Sequence, residues 1–278
     1  MSRIHQRLSM DESNTKIYDL MVSNSKCMVS RVGLGGETAV TAYLLSGQQP
    51  TPQIINWFKI NAGFYGSDDF MTYAQIYKDT LINTDLYAYW NFPGFVEMED
   101  FLVPQGKILL EPASLESFRY DNPWTASLKS KKILIITPFK ESVENQLSNR
   151  DKIWINPDVL PEAEYIVYKS VQSIGGVGPH KDWYESFDIM KEDISKIDFD
   201  VALLGCGSYG LPLCNYIKMN LNKSCVYVGG GLQLYFGIKG KRWDTSTDIT
   251  KHYNKYWIRP NENEIPQFAN LVEGGCYW

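Results

Sequence analysis

Short apolar runs alternate along this chain with segments whose apolar residues recur every three or four positions. That alternation predicts strands and amphipathic helices in succession. Runs at residues 27–32, 86–90, 107–110, 132–137, 165–170, 200–204 and 224–228 read as strands buried on both faces. Phe70, Ala74, Tyr77 and Leu81 step by 4, 3 and 4, the spacing of one helix face. Trp183, Phe187, Met190, Ile194 and Ile197 repeat that spacing in a helix expected over 180–197, and further helices are expected near 37–45 and from about 141. The alternation implies an α/β class: a Rossmann-like, mostly parallel sheet with helices on both faces. A division near Asn122-Pro123-Trp124 gives two nucleotide-binding-like halves, 1–123 and 124–278, around one cleft in one compact unit.

The stretch 198–244 is the most informative, because it reads as strand, glycine-rich turn, helix, strand and basic loop. Gly205-Cys206-Gly207-Ser208-Tyr209-Gly210 matches G-x-G-x-x-G, in which glycines admit phosphate oxygens to backbone N–H groups at a helix N-terminus. A dinucleotide site also needs an acidic residue about 20 positions on to hold the ribose. Here the second strand runs instead into Gly229-Gly230-Gly231, with Lys239, Lys241 and Arg242 following as cations suited to a diphosphate. The pattern therefore favours a nucleotide-sugar over NAD, with Gly205, Gly207, Ser208, Tyr209, Gly230, Gly231 and the three cations as the binding set. The plainer reading is that these glycines serve tight strand–helix packing and the cations are solvated.

A second turn, Arg31-Val32-Gly33-Leu34-Gly35-Gly36-Glu37, follows the first strand. Arg31 suits a carboxylate or phosphate bidentately, Gly33 permits close approach, and Glu37 suits a sugar hydroxyl or a metal. Alternatively, Glu37 only complements a helix N-terminus.

Composition narrows the partners. A formal net charge of −5 opposes wrapping by nucleic acid, and no run approaches the ~18 apolar residues of a membrane span, so a cytoplasmic protein is expected. Five cysteines without a C-x-x-C pair argue for reduced thiols rather than a disulfide framework or zinc site. Three scattered histidines give no support to a Ser-His-Asp hydrolase. Nothing in the pattern sets an oligomeric state.

The Arg31–Glu37 turn resembles that of the GT-D type glycosyltransferases and their relatives in bacterial polysaccharide-biosynthesis clusters, which carry R-x-G-x-x-E after the first strand. The resemblance extends over roughly residues 25–278, through Asn61-Ala62-Gly63-Phe64-Tyr65, Pro123-Trp124, Pro138-Phe139 with Ser142 and Gln146, Val171-Gln172-Ser173, GCGSYGLPL, FGIKGKRWD and the terminal EGGCYW. It implies transfer of a sugar from a nucleoside-diphosphate-sugar donor to a glycan acceptor. One departure is plain: the family turn has an acid two residues before its glutamate, where this chain has Gly35, and one extra residue separates Arg31 from Glu37. The acid pair tied there to Mn²⁺ or Mg²⁺ is half missing, so a metal is not carried over. Without one, Lys239, Lys241 and Arg242 would neutralise the leaving diphosphate.

Glu37, Glu111 and Glu141 stand at predicted strand ends as candidate catalytic carboxylates, the latter two doubling as helix-cap or solvated acids. Trp57, Phe64, Tyr65 and Trp90 are candidate acceptor-cleft aromatics, and the two final aromatics predict that the terminal segment docks on the body. The competing readings are a non-catalytic nucleotide- or glycan-binding module and an NAD-linked oxidoreductase.

Overall fold

Strand residues of the chain point alternately to two separate cores. In the segment 132–137, Leu134 and Ile136 join one hydrophobic cluster while Ile133 and Ile135 join the other. The same two-residue period divides Met28 from Val29, Ala202 and Leu204 from Val201 and Leu203, and Cys225 from Val226. Each side chain fully withdrawn from water contributes about 1.5–3 kcal/mol, so a strand apolar on both faces is stable only between two covered faces.

The computed structural model describes residues 5–23, 26–91, 94, 98 and 102–278. Its strands are β1 (Gln6–Arg7), β2 (Met28–Arg31), β3 (Leu86–Ala88), β4 (Ile108–Leu110), β5 (Lys132–Thr137), β6 (Glu164–Lys169), β7 (Val201–Leu204) and β8 (Ser224–Tyr227). They form one sheet in the order β1-β4-β3-β2-β8-β7-β5-β6, with every neighbouring pair parallel. The described α-helices are α1 (Met10–Val22), α2 (Glu37–Leu45), α3 (Pro52–Trp57), α4 (Phe70–Asn83), α5 (Lys140–Leu147), α6 (Arg150–Ile153), α7 (Trp183–Ser195), α8 (Gly210–Met219), α9 (Leu232–Tyr235) and α10 (Thr247–Thr250). The expected α/β, Rossmann-like class is present. Helices α2, α4, α7 and α8 supply one core and α1, α5 and α9 the other. No described helix is long and apolar enough to cross a membrane.

Strands β2 and β8 pair at the middle of the sheet, with Ser30 opposite Tyr227. Strands β3, β4 and β1 lie on one side of this pair and β7, β5 and β6 on the other. The strand order thus reverses between β2 and β8, which is where open parallel sheets leave a crevice at the carboxyl ends.

Helix α1 was not anticipated from periodicity, because its stretch is largely polar. Its signal is a capping box: the Ser9 N–H donates to Glu12 Oε2 at 2.9 Å and the Glu12 N–H to Ser9 Oγ at 3.4 Å. Ile17 and Met21 then anchor it to the core.

The glycine-rich turn after β7 is held by aromatic packing. Trp183 stacks on Tyr209 with centroids 5.0 Å apart, and its indole N–H donates to Ser208 Oγ at 2.8 Å. A Cβ at Gly210 would lie 2.0 Å from Cε2 of Tyr227. Helix propensity alone favours Gly210→Ala by about 1 kcal/mol. We expect the reverse sign, a net loss of about 1–3 kcal/mol in urea unfolding, because the ring must shift within a packed core. A more stable variant would refute the packing account.

Candidate functional site

The loops leaving the carboxyl ends of β2, β5, β7 and β8 enclose a cavity of about 180 Å³. Arg31, Gly33, Glu37, Gly205, Gly207, Tyr209, Gly230, Gly231 and Arg242 all line it. Two glycine-rich turns far apart in sequence therefore meet across one cleft. Ser208, Glu111, Glu141, Lys239 and Lys241 do not line it, and each has another role.

Glu37 opens α2 and is only 5% exposed. Gly36 precedes it at φ 105°, a left-handed conformation that glycine adopts without strain. The carboxylate folds back over Gly33, where a Cβ would come within 2.5 Å of Oε1. Gly33 is itself fixed, its N–H donating to Tyr77 Oη at 3.2 Å and its carbonyl accepting from Thr38 Oγ1 at 2.7 Å. Burial raises the Glu37 pKa from 4.5 to about 7, against the pull of the N–H groups of Glu37 and Gly35. Its Oε2 has no hydrogen-bond partner among the described residues.

Arg31 ends β2 beside the glycine triplet. Its Nη1 donates to the Val228 carbonyl at 3.1 Å, and its guanidinium lies 5.1 Å from the Trp90 ring centroid. Trp90 is anchored by its indole N–H to the Val32 carbonyl at 2.8 Å. A Cβ at Gly231 would lie 3.7 Å from Arg31 Nη1 and one at Gly229 3.4 Å from its Cδ, so the triplet faces the arginine. No ion pair joins Arg31 to a described carboxylate. Its charge is therefore available to an anion beside the glycine backbone.

The GCGSYG turn departs from the phosphate-loop expectation. A Cβ at Gly205 would lie 2.7 Å from the Gly229 carbonyl oxygen, and one at Gly207 2.8 Å from that of Ala62. These glycines admit the protein's own backbone, the plainer of the two sequence readings, although the turn still lines the cleft. Ser208 points away and accepts the Trp183 indole N–H.

Of the three basic-loop cations only Arg242 reaches the cleft. Lys239 lies 5.0 Å from the Tyr253 ring centroid and Lys241 donates to the Gly274 carbonyl at 3.2 Å. Arg242 is held by an ion pair with Glu273, a bond to Tyr277 Oη at 3.3 Å and its own N–H to the Cys276 carbonyl at 3.0 Å. The terminal segment docks as expected: Tyr277 covers Gly230, and its carbonyl accepts from Gln233 Nε2 at 3.1 Å.

Glu111 sits at the β4 end away from the cleft, its N–H donating to Ser13 Oγ at 3.2 Å. Glu141 is exposed, its Oε2 accepting from Asn263 Nδ2 at 2.7 Å. The helix N-terminus at that position is instead capped by buried Glu264, which accepts from the Glu141 N–H at 2.7 Å and from the Ser142 hydroxyl. Among the candidate aromatics only Trp90 lines the cleft. Phe64 is core, stacked on Phe58 at 4.8 Å; Tyr65 pairs with Ser186 Oγ at 2.7 Å; Trp57 is exposed on α3. Asn61, Glu116, Gln172, Trp243 and Glu273 also line the cleft and were outside the predicted site. Asn61, Gln172, Trp243 and Glu273 fall in the landmark segments of the resemblance, which gave them no role, and Glu116 lies outside those segments.

Among the described residues no three His, Cys, Asp or Glu side chains come together as a metal-binding group. The place of the missing acid, Gly35, is packed against Glu37 and Ala62, where a Cβ would lie 3.0 and 3.1 Å from their side chains. These residues do not fit a protein-held divalent cation.

The Glu37 carboxyl links stability to pH. Its folded pKa of about 7 exceeds the unfolded 4.5, so its stabilising contribution is complete below the lower value and lost as pH rises through the upper one. Urea unfolding of the wild type should lose on the order of 3 kcal/mol across that window, at about 1.36 kcal/mol per unit. Glu37→Gln should flatten this slope, and equal slopes in both proteins would contradict the buried carboxyl. No family model matches the chain, and comparison with curated proteins and with solved structures likewise returned no match.

Proposed function

We propose that this protein is a glycosyltransferase that moves a sugar from a nucleoside-diphosphate sugar to a glycan acceptor. The observation that carries the reading is Glu37, a buried carboxyl that lines the cleft with Arg31 and Gly229–Gly231 and has one oxygen without a partner among the described residues. A base works best when its pKa lies near the operating pH, and burial brings that of Glu37 to about 7.

In this reading Arg31 and the glycine triplet receive the diphosphate. The acceptor hydroxyl attacks the anomeric carbon, the bond from that carbon to the phosphate oxygen breaks, and the diphosphate leaves with the electron pair. The hydroxyl proton passes to Glu37 Oε2, assistance typically worth about 10²–10⁴-fold. Arg242 takes part only if the diphosphate competes with Glu273 for its guanidinium. An NAD-linked reading has less support, since Gly205 and Gly207 are closed by backbone carbonyls and β8 ends without an acid.

Glu37→Gln should reduce sugar transfer or donor hydrolysis by about 10²-fold or more while donor binding is kept. Arg31→Ala should weaken nucleoside-diphosphate binding by about ten- to hundredfold, from the loss of a charge-assisted bond of roughly 1.5–3 kcal/mol. Lys239→Ala should leave it unchanged. Calorimetry with UDP, GDP, CMP and dTDP, followed by turnover of the matching sugar conjugate, checks all three. Full turnover in Glu37→Gln would refute the catalytic assignment, and binding retained with turnover absent in the wild type would favour the non-catalytic module.

A further inference from the structure

Three residues that line the cleft each carry a buried polar atom with no partner among the described residues: Glu37 Oε2, Asn61 Oδ1 and Gln172 Nε2. The three residues are brought together by close packing. A Cβ at Gly35 would lie 3.0 Å from Glu37 Oε2 and 3.2 Å from the backbone nitrogen of Ala62, so the segment of Asn61 lies against the carboxylate. A Cβ at Gly63 would lie 2.8 Å from Ser173 Oγ and 2.9 Å from the Ile174 nitrogen, and Ser173 Oγ donates to the Gly63 carbonyl at 2.6 Å. Residues 61–63 are thus clamped between the turn bearing Glu37 and the turn bearing Gln172. Within its own turn, Gln172 Oε1 accepts from the Ile174 N–H at 3.3 Å, which leaves only the amide nitrogen unmatched.

Buried polar groups are almost always hydrogen-bonded, so three orphans on residues of adjoining segments that line one cleft are a candidate binding set. Their chemistry is specific. Asn61 Oδ1 accepts, Gln172 Nε2 donates, and the Glu37 carboxyl does either according to its protonation. No described Lys or Arg is ion-paired with Glu37 or bonded to the two orphan amide atoms. A ring hydroxyl both donates and accepts, so neighbouring hydroxyls satisfy this set, whereas a carboxylate substituent would meet Glu37 with Arg31 already engaged by the diphosphate and Arg242 by Glu273.

We propose that Glu37, Asn61 and Gln172 form the subsite for an uncharged, hydroxyl-bearing sugar ring, with the two amides as specificity-determining residues and a uronic acid excluded. The assignment rests on the nucleotide-sugar reading for its donor, but the same hydroxyls are presented by a free sugar acceptor.

The test is thermal-shift and calorimetric titration of the full chain with UDP, GDP, UDP-glucose, GDP-mannose, UDP-glucuronate, glucose and mannose. Wild type is compared with Asn61→Leu and Gln172→Met, each of which removes polar atoms at similar volume. A neutral sugar conjugate should bind more tightly than its bare diphosphate, and each variant should cut that gain about 3- to 10-fold. The unliganded melting temperature should hold or rise in Asn61→Leu, since an orphan has been removed, and fall only slightly in Gln172→Met, which also loses the acceptor of the Ile174 N–H, while affinity for the bare diphosphate should not move. UDP-glucuronate should bind no more tightly than UDP. A melting temperature that falls sharply in both variants would assign the amides a structural role and overturn the subsite. So would an undiminished sugar gain in either variant, or a glucuronate conjugate bound as well as glucose. Diphosphate binding with no sugar gain overturns the subsite while the donor reading stands. Free-sugar binding that depends on Asn61 and Gln172, without nucleotide binding, overturns the donor reading while the subsite stands. No binding of any probe overturns both.

Discussion

The parallel pairing of β2 with β8 is the contact on which the site depends. It joins strands from opposite ends of the sequence, Met28 opposite Cys225 and Ser30 opposite Tyr227, and it is where the strand order reverses. Because both strands run the same way, their carboxyl-end loops emerge side by side. Arg31 and Glu37 leave one strand and Gly229–Gly231 the other, so an arginine, a carboxyl and a glycine-rich backbone share a cleft that neither half builds alone. The pairing is held by burial on both faces rather than by local preference, since β2 and β8 are only four residues each.

Close approach, rather than charge, shapes the walls of that cleft. Gly205 admits the Gly229 carbonyl, Gly207 that of Ala62, and Gly210 the Tyr227 ring. Packed interiors leave no slack for a methyl group, so each glycine sets the distance between two loops. The turn that looks most like a phosphate loop is therefore a spacer, and it is Gly229 and Gly231 that lie beside Arg31.

The protein also satisfies most of its own polar termini. Glu264 caps α5 through the Glu141 N–H, Glu273 and Tyr277 hold Arg242, and Gln146 Nε2 donates to the Phe236 and Tyr256 carbonyls at 2.8 and 2.9 Å. Other buried atoms, among them Thr41 Oγ1, Ser114 Oγ and Trp124 Nε1, are also unmatched among the described residues, but Glu37, Asn61 and Gln172 each carry such an atom on a residue that lines the cleft. Burial makes the Glu37 carboxyl costly to ionise, and this outweighs the pull of the Glu37 and Gly35 N–H groups and raises its pKa.

The fold class and most elements were legible in the sequence because burial of a strand or helix face is a local pattern. The helix over Glu37–Leu45 and the strand over Lys132–Thr137 appear with the bounds their periodicity implies. Helix α1 was missed because its evidence is a cap rather than a stripe, and β1 because two residues carry no period. The Arg31–Glu37 turn was legible as chemistry at a strand end. Which side chains face the cleft was not: Ser208 and Tyr209 are neighbours, as are Lys241 and Arg242, yet in each pair only the second lines it. Asn61 and Gln172 stood within landmark segments of the resemblance, but nothing in the sequence assigned them to the site. Sequence patterns determine which residues are withdrawn from water, since that depends on spacing along one element. The direction of each loop side chain is decided by partners distant in sequence, such as the Trp183 indole that claims Ser208 and the Glu273 carboxylate that claims Arg242, and only the tertiary structure brings those partners together.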